Sequence, residues 1–122
     1  MSKQEMFNKV WKHFVVDKQH KSSRYGGTCL YRGPNNTKCA VGVLIPDDAY
    51  NTDMDNERFD NRISSLIKRY PHLKKYVGDD VVFLTHLQRC HDSTYSDNWF
   101  TVTMESILKE FAQKFDLTIP EG

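Results

Sequence analysis

The sequence predicts a single α+β domain in which four main helices pack against a short β-hairpin. Three observations lead to this prediction. The 122 residues suit one domain, and the 39% that are hydrophobic suffice for one core. Apolar residues recur at helical spacing in four segments. Two short segments rich in β-branched and aromatic residues flank a cluster of turn-forming residues.

The first helix is predicted by a capping box, in which Ser2 stands three residues before Glu5. The helix should end near Asp17, before a polar loop over 18–27. Its apolar face recurs at a spacing close to 3.6 residues. The residues of that face are Met6, Phe7, Val10, Trp11, Phe14 and Val15.

The hairpin is predicted over 28–43. Segments 28–32 and 38–43 would be its strands, and the intervening 33–37 is made of turn formers. On strands, side chains alternate between faces, so Cys39, Val41 and Val43 would share one face. An alternative also fits the pattern, in which Cys39 opens a buried helical turn.

Three further helices are predicted downstream. A second runs from about Phe59 to Tyr70 and is ended by Pro71, after which 72–77 forms a short turn stopped by Gly78. A third is capped by Asp79 or Asp80 and extends to 92. The fourth covers about 99–115. Residues 1–122 form one domain, with 118–122 as a frayed tail.

The charge is close to balanced in total, at +1, but it is segregated along the chain. Residues 1–45 carry eight Lys or Arg and two Asp or Glu, whereas 46–60 carry one and six. Residues 61–78 carry five and none, and 79–122 carry three and eight. Such blocks produce local fields that suit charged partners.

The compartment predicted from the sequence is the cytoplasm. No apolar run is long enough for a membrane helix, and no apolar leader opens the chain. The cysteines are Cys29, Cys39 and Cys90, an odd and small number that predicts reduced thiols rather than a disulfide framework.

Three blocks together carry a resemblance. They read C-x-Y-R-G at 29–33, K-C-A-V-G-x-L-I-P-D-x-x-Y at 38–50 and L-Q-x-x-H-D at 87–92, followed by Trp99. This pattern resembles a group of short bacteriophage and prophage proteins without an assigned function. The resemblance covers most of 27–110 and implies a phage or mobile-element origin and a location in the host cytoplasm. It implies no catalytic residue.

Thiols and imidazoles suggest two kinds of chemistry. Four side chains offer the ligand types that zinc prefers, although their spacing matches no usual zinc motif; they are Cys29, Cys39, His86 and Cys90. Packing of small thiols in the core is the favoured interpretation, with no cofactor.

Nucleophilic catalysis is the second kind. A Cys39 thiolate would need an exposed position, with His91 as base and Asp92 or Asp47 as its orienting carboxylate. The stretch from Cys39 to Ile45 looks buried, and His91-Asp92 is better interpreted as a helix end, so catalysis is not favoured.

Recognition is predicted near the hairpin. Arg32 is expected to pair with Asp47 as an internal ion pair, with phosphate or acidic-partner recognition by Arg32 as the alternative. Lys and Arg cluster over 18–38, where Tyr25 and Tyr31 would stack on nucleic-acid bases. The candidate binding residues are Arg24, Tyr25, Tyr31, Arg32, Lys38 and Asp47.

The sequence therefore favours a small phage-type accessory protein that acts as a non-enzymatic interaction module. Its expected partner is a host or phage protein, not a membrane. One alternative is a nucleic-acid-binding module that uses 18–38. A second is a small thiol- or metal-dependent enzyme. The aromatic content supplies side chains of the kind that anchor interfaces.

Overall fold

The computed structural model describes residues 2–19, 30–33, 37–55, 63–92 and 100–120. Six α-helices lie in these ranges. They are α1 (Lys3–Trp11), α2 (Ala40–Leu44), α3 (Ile63–Arg69), α4 (Lys74–Val77), α5 (Val81–Asp92) and α6 (Phe100–Lys114). A π-helical turn, Lys12–Val16, continues α1, and three 3-10 turns, Asp47–Ala49, Thr52–Asp55 and Pro71–Leu73, connect later helices.

The predicted α+β class and its hairpin are wrong. The described residues contain no β-strand, and their β-type pairing is one isolated antiparallel bridge between Arg32 and Lys38. The segment predicted as the second strand instead becomes α2, with Cys39 as its N-cap. A short apolar run does not distinguish a buried strand from a buried helical turn, because neither exposes an alternating face. The alternative in which Cys39 opens a helical turn is confirmed.

The first helix forms as predicted. The Ser2 hydroxyl accepts a hydrogen bond from the Glu5 amide at 3.1 Å, and the Glu5 carboxylate accepts one from the Ser2 amide at 3.3 Å. Five residues of this face are buried and Val15 is partly buried. The buried five are Met6, Phe7, Val10, Trp11 and Phe14. The helical path continues through the π turn and stops at Asp17, after which Lys18 has a positive φ of 53°.

Helix α2 lies at the centre of the fold, in contact with α1, α4 and α5. Ala40, Val41 and Leu44 are buried. A Cβ atom built on Gly42 would lie 2.1 Å from the carbonyl oxygen of Tyr31, so only glycine permits this approach. The same oxygen accepts a hydrogen bond from the Cys39 amide at 3.3 Å. The Tyr31 backbone therefore rests directly on the first turn of α2.

The later helices follow several predicted boundaries. Pro71 ends α3, Gly78 stops α4 with a φ of 72°, and Asp80 caps α5 by accepting from the Phe83 amide at 3.0 Å. The predicted starts of the second and fourth helices, near Phe59 and Trp99, lie outside the described residues.

Helix α6 closes the core on the other side. The Phe111 ring lies 6.0 Å from that of Phe7 and 5.4 Å from that of Phe83, measured between centroids. Beyond α6, the Thr118 backbone exchanges two hydrogen bonds with the Gln4 side chain, at 2.8 and 2.7 Å. The segment that follows α6 is thus joined to α1 at Thr118.

Replacing Gly42 with alanine is expected to destabilise the protein. Helix propensity alone would raise the free energy of unfolding by about 1 kcal/mol. The added methyl group would instead collide with the Tyr31 carbonyl, so the free energy of unfolding should fall by about 2–3 kcal/mol in total. Urea unfolding of Gly42→Ala measures it, with Val82→Ala on exposed α5 surface as the control. A gain in stability for Gly42→Ala would contradict the close approach.

Candidate functional site

The three sequence blocks meet at the N-terminus of α2. The Cys39 sulfur accepts a hydrogen bond from the Gly42 amide at 3.3 Å, and the Gln88 side-chain oxygen accepts one from the Val41 amide at 3.0 Å. These two bonds satisfy amides that a helix start leaves without intrahelical partners. Together with the Tyr31 carbonyl, they give the blocks a structural role, since each block supplies one contact to the same helical turn.

Arg32 forms the predicted ion pair. One terminal nitrogen of its guanidinium donates to the Asp47 carboxylate, and the other donates to the carbonyl oxygen of Ile45. The guanidinium also lies 5.2 Å from the Tyr50 ring centroid. Its side chain is 18% exposed against 84% for that of Asp47. Hydrogen bonding to Arg32, followed by its charge, lowers the pKa of the Asp47 carboxyl group.

Asp55 is a site residue that the sequence did not single out. Its carboxylate accepts from the Tyr31 amide at 2.8 Å, from the Arg32 amide at 3.1 Å and from the Tyr50 hydroxyl. Burial, then the hydrogen bond to Asp55, raises the pKa of Tyr50, so the phenol stays protonated and donates. We call these three contacts of the Asp55 carboxylate the Asp55 clamp. The local sequence gives no signal for it, because 24 residues separate Asp55 from Tyr31.

Two of the candidate catalytic side chains, those of Cys39 and His91, lie in the interior, whereas that of Asp47 is exposed. The Cys39 side chain is fully buried, and its sulfur already caps α2. His91 is also fully buried, with its ring 5.7 Å from that of Phe14. The side chain of Asp92 lies outside the described part. A thiol in such apolar surroundings is poorly reactive because burial disfavours the thiolate.

The candidate zinc ligands have separate local roles. The Cys90 thiol donates to the His86 carbonyl at 3.4 Å, and burial raises its pKa to about 11. The His86 Nδ1 atom lies 3.4 Å from the Lys114 ammonium. Across the described ranges, no group of three or more His, Cys, Asp or Glu side chains is placed to hold a metal. Cys29 falls outside those ranges.

Three of the six candidate binding residues meet at one cleft. Arg32, Lys38 and Asp47 line a cavity of about 600 Å³, which we call the Arg32 cleft; His13, Asp17 and Tyr50 also line it. Tyr31 is buried and does not line the cleft. The other two candidates, Arg24 and Tyr25, lie outside the described residues.

A second concave feature lies between the two longest helices. We call it the α5–α6 groove; its volume is about 500 Å³. Cys90, Ile107 and Phe111 form an apolar floor, and the charged or polar rim comprises His86, Arg89, Glu110 and Lys114. Ile107 and Phe111 stand four residues apart on α6, a helical spacing that by itself predicts a core face. Periodicity identifies an apolar face, but it does not show where neighbouring helices leave that face partly uncovered.

Comparison of the chain with protein-family models, curated proteins and solved structures gives no match. In the described part, every helix is too short or too polar to cross a bilayer.

Alkylation tests the interior position of the two described cysteines. In a Cys29→Ser variant, iodoacetamide should label Cys39 and Cys90 at least about 100-fold more slowly in the native protein than in denaturant, because both side chains are buried. Peptide mass spectrometry resolves the two rates. Labelling of native Cys39 at the unfolded rate would contradict its capping role.

Removing the Asp55 charge tests the clamp. Asp55→Asn replaces a carboxylate oxygen with an amino group that cannot accept, so at least one of the three donors loses its partner. We expect the free energy of unfolding to fall by about 1–3 kcal/mol. Asp53→Asn, on the same turn but exposed, should change it by less than about 0.5 kcal/mol. Equal effects in the two variants would contradict the clamp.

Proposed function

We propose that this chain is a non-enzymatic interaction module that binds an acidic, amphipathic helix of a partner protein in the α5–α6 groove. The observation that carries the proposal is the groove itself, with an apolar floor between cationic banks. The resemblance of the sequence blocks to phage and prophage proteins supports a host or phage protein as the partner.

The floor suits the apolar face of a short helix. Ile107 is partly exposed, with Phe111 and Cys90 on either side of it nearly buried. The lining residues of α6 run from Ile107 to Lys114, about 10 Å or two helical turns. Two turns present apolar side chains at i, i+3, i+4 and i+7, the set by which an amphipathic helix occupies a hydrophobic groove.

The rim favours an acidic partner. Arg89 on α5 and Lys114 on α6 bring positive charge to both banks, against one carboxylate from Glu110. Lys114 and Glu110 act on the same floor residue, since the first lowers and the second raises the pKa of Cys90. An excess of cations around an apolar floor selects carboxylates at the edge of the bound helix and steers its approach.

The positions of the other candidate residues also favour binding over catalysis. Cys39 and His91 are both fully buried. Tyr31 is buried and so is not available to stack on a base. These arrangements weaken the nucleic-acid alternative at the described residues of 18–38.

A charge placed on the floor should abolish binding. Ile107→Asp buries a carboxylate against the partner, so capture of the partner from host lysate should fall more than about tenfold. Val102→Asp is the matched control, because Val102 is an exposed apolar residue of α6 that is 60% accessible and lies outside the groove. Quantitative mass spectrometry measures both, and circular dichroism verifies that both variants remain helical. Equal capture by the two variants would contradict the groove as the binding surface.

Reversing the rim charges tests partner selectivity separately from binding. Arg89→Glu combined with Lys114→Glu should weaken the affinity for the captured partner by about two- to tenfold and reduce the salt dependence of binding. Lys109→Glu, exposed on α6 and outside the groove, should leave affinity nearly unchanged. Tighter binding by the reversed variant, or capture of nucleic acid alone, would contradict an acidic helical partner.

A further inference from the structure

We infer that the Arg32 cleft binds the phosphate group of a small phosphorylated molecule. Nitrogen-bearing side chains reach this cleft from three separate segments: His13 from the π turn, Arg32 from 30–33 and Lys38 from 37–39. The site lies apart from the α5–α6 groove, with which it shares no lining residue. The inference is therefore independent of the proposed function.

Two like charges stand opposite each other in this cleft. The antiparallel bridge pairs Arg32 with Lys38, and side chains of a bridged pair have Cβ atoms about 4.5–5.5 Å apart. Like charges in that position repel. Asp47 offsets the charge of Arg32, whereas no carboxylate of the described ranges lies within ion-pair distance of the Lys38 ammonium. A bound anion would offset the second charge.

The cations at the cleft exceed its acids by one charge. Asp47 pairs with Arg32, and Asp17 forms an ion pair with Lys12 at 3.0 Å. Lys38 also lines the cavity, and its charge helps to lower the pKa of Asp47. The field at the cleft favours an anion over a cation.

Two buried nitrogens at the cleft also lack partners. Neither His13 Nε2 nor Arg32 Nε has a hydrogen-bond partner among the described residues, although both atoms are inaccessible to solvent. Buried polar atoms in folded proteins are nearly always paired, and an exception calls for an explanation. His13 lies in a π-helical turn, a form that is frequently found at functional sites. Because neither atom is exposed in this conformation, a ligand oxygen would reach either nitrogen only after a rotation of its side chain.

A phosphate group fits these donors best. Its tetrahedral oxygens accept from several directions, which suits donors that arrive from three segments. Lys binds phosphate as a point charge. The terminal nitrogens of Arg32 donate to Asp47 and Ile45, so Arg32 contributes its charge beside Lys38. The cavity of about 600 Å³ lies within the usual range for small-molecule sites, so it holds more than a lone phosphate ion. A phosphomonoester is the class of ligand that uses both the charge and the volume.

Titration with inorganic phosphate tests the site in the full chain. At pH 7, the amide NMR signals of Gly33, Thr37 and Lys38 should shift and saturate with a millimolar or tighter dissociation constant. Lys38→Gln should weaken binding at least about fivefold, and Lys68→Gln, exposed on α3, should not. Shifts that do not saturate, or that are the same in Lys38→Gln, would overturn the inference.

The imidazole of His13 supplies a second readout. Burial, followed by the charge of Lys38, lowers its pKa to about 4; Asp17 acts oppositely, and His91 and Arg32 lower it slightly. Sulfate, whose charge is constant across this range, should raise that pKa by about one unit because the bound anion stabilises imidazolium. Lys38→Gln alone should also raise the pKa, since it removes a cation, and sulfate should then add little.

Two results would overturn the inference at this step. One is a His13 pKa that sulfate leaves unchanged in the wild-type chain. The other is a single-stranded oligonucleotide that binds the cleft more tightly than a phosphomonoester such as glucose 6-phosphate, with steep salt dependence, since this would make the cleft part of a nucleic-acid interface. Preference for the phosphomonoester over the oligonucleotide supports the small-ligand site.

Discussion

The close approach of the Tyr31 carbonyl to the first turn of α2 is the contact on which the rest of the structure depends. It requires a glycine at 42, because a Cβ there would lie 2.1 Å from the carbonyl oxygen. The same oxygen accepts a hydrogen bond from the Cys39 amide. The Asp55 carboxylate in turn accepts hydrogen bonds from the Tyr31 and Arg32 amides. The segment 30–33 is thereby fixed between a buried helix and a carboxylate.

Both concave features follow from this arrangement. Fixing Tyr31 orients the next residue, Arg32, toward Asp47 and Ile45, which forms one wall of the cleft. On its other side α2 packs against α5, and Gln88 of α5 caps it, which sets the position of α5 beside α6. The residues of the sequence blocks thus build the frame, while much of the groove and part of the cleft come from side chains outside them, such as His13, Ile107 and Lys114.

Local signals in the sequence were sufficient wherever a few neighbouring residues decide the structure. The capping box at Ser2, the stop at Pro71 and the left-handed glycine at 78 were predicted because each acts within about one helical turn. The hairpin was wrong because the short apolar run from Ala40 has no exposed face to reveal its period. Tertiary contacts decided its conformation, since Tyr31 and Gln88 satisfy the start of a helix there.

The candidate site shows the same division. The Arg32–Asp47 pair was predictable, since it joins opposite charges across a short connection. Asp55 was not, because two of its donors are backbone amides 24 and 23 residues away, and no sequence motif marks its contact with the third donor, the nearby Tyr50 hydroxyl. The charged rim of the groove was equally hidden, since Arg89 and Lys114 belong to different helices whose relative position only the fold determines.

Native-state hydrogen exchange tests the central contact most directly. The amides of Cys39, Val41 and Gly42 donate to Tyr31, Gln88 and the Cys39 sulfur, respectively. If these contacts hold the fold together, the three amides should exchange only through global unfolding, with opening free energies equal to the stability measured by denaturant. Exchange of these amides through a local opening, well below the global free energy, would contradict the account.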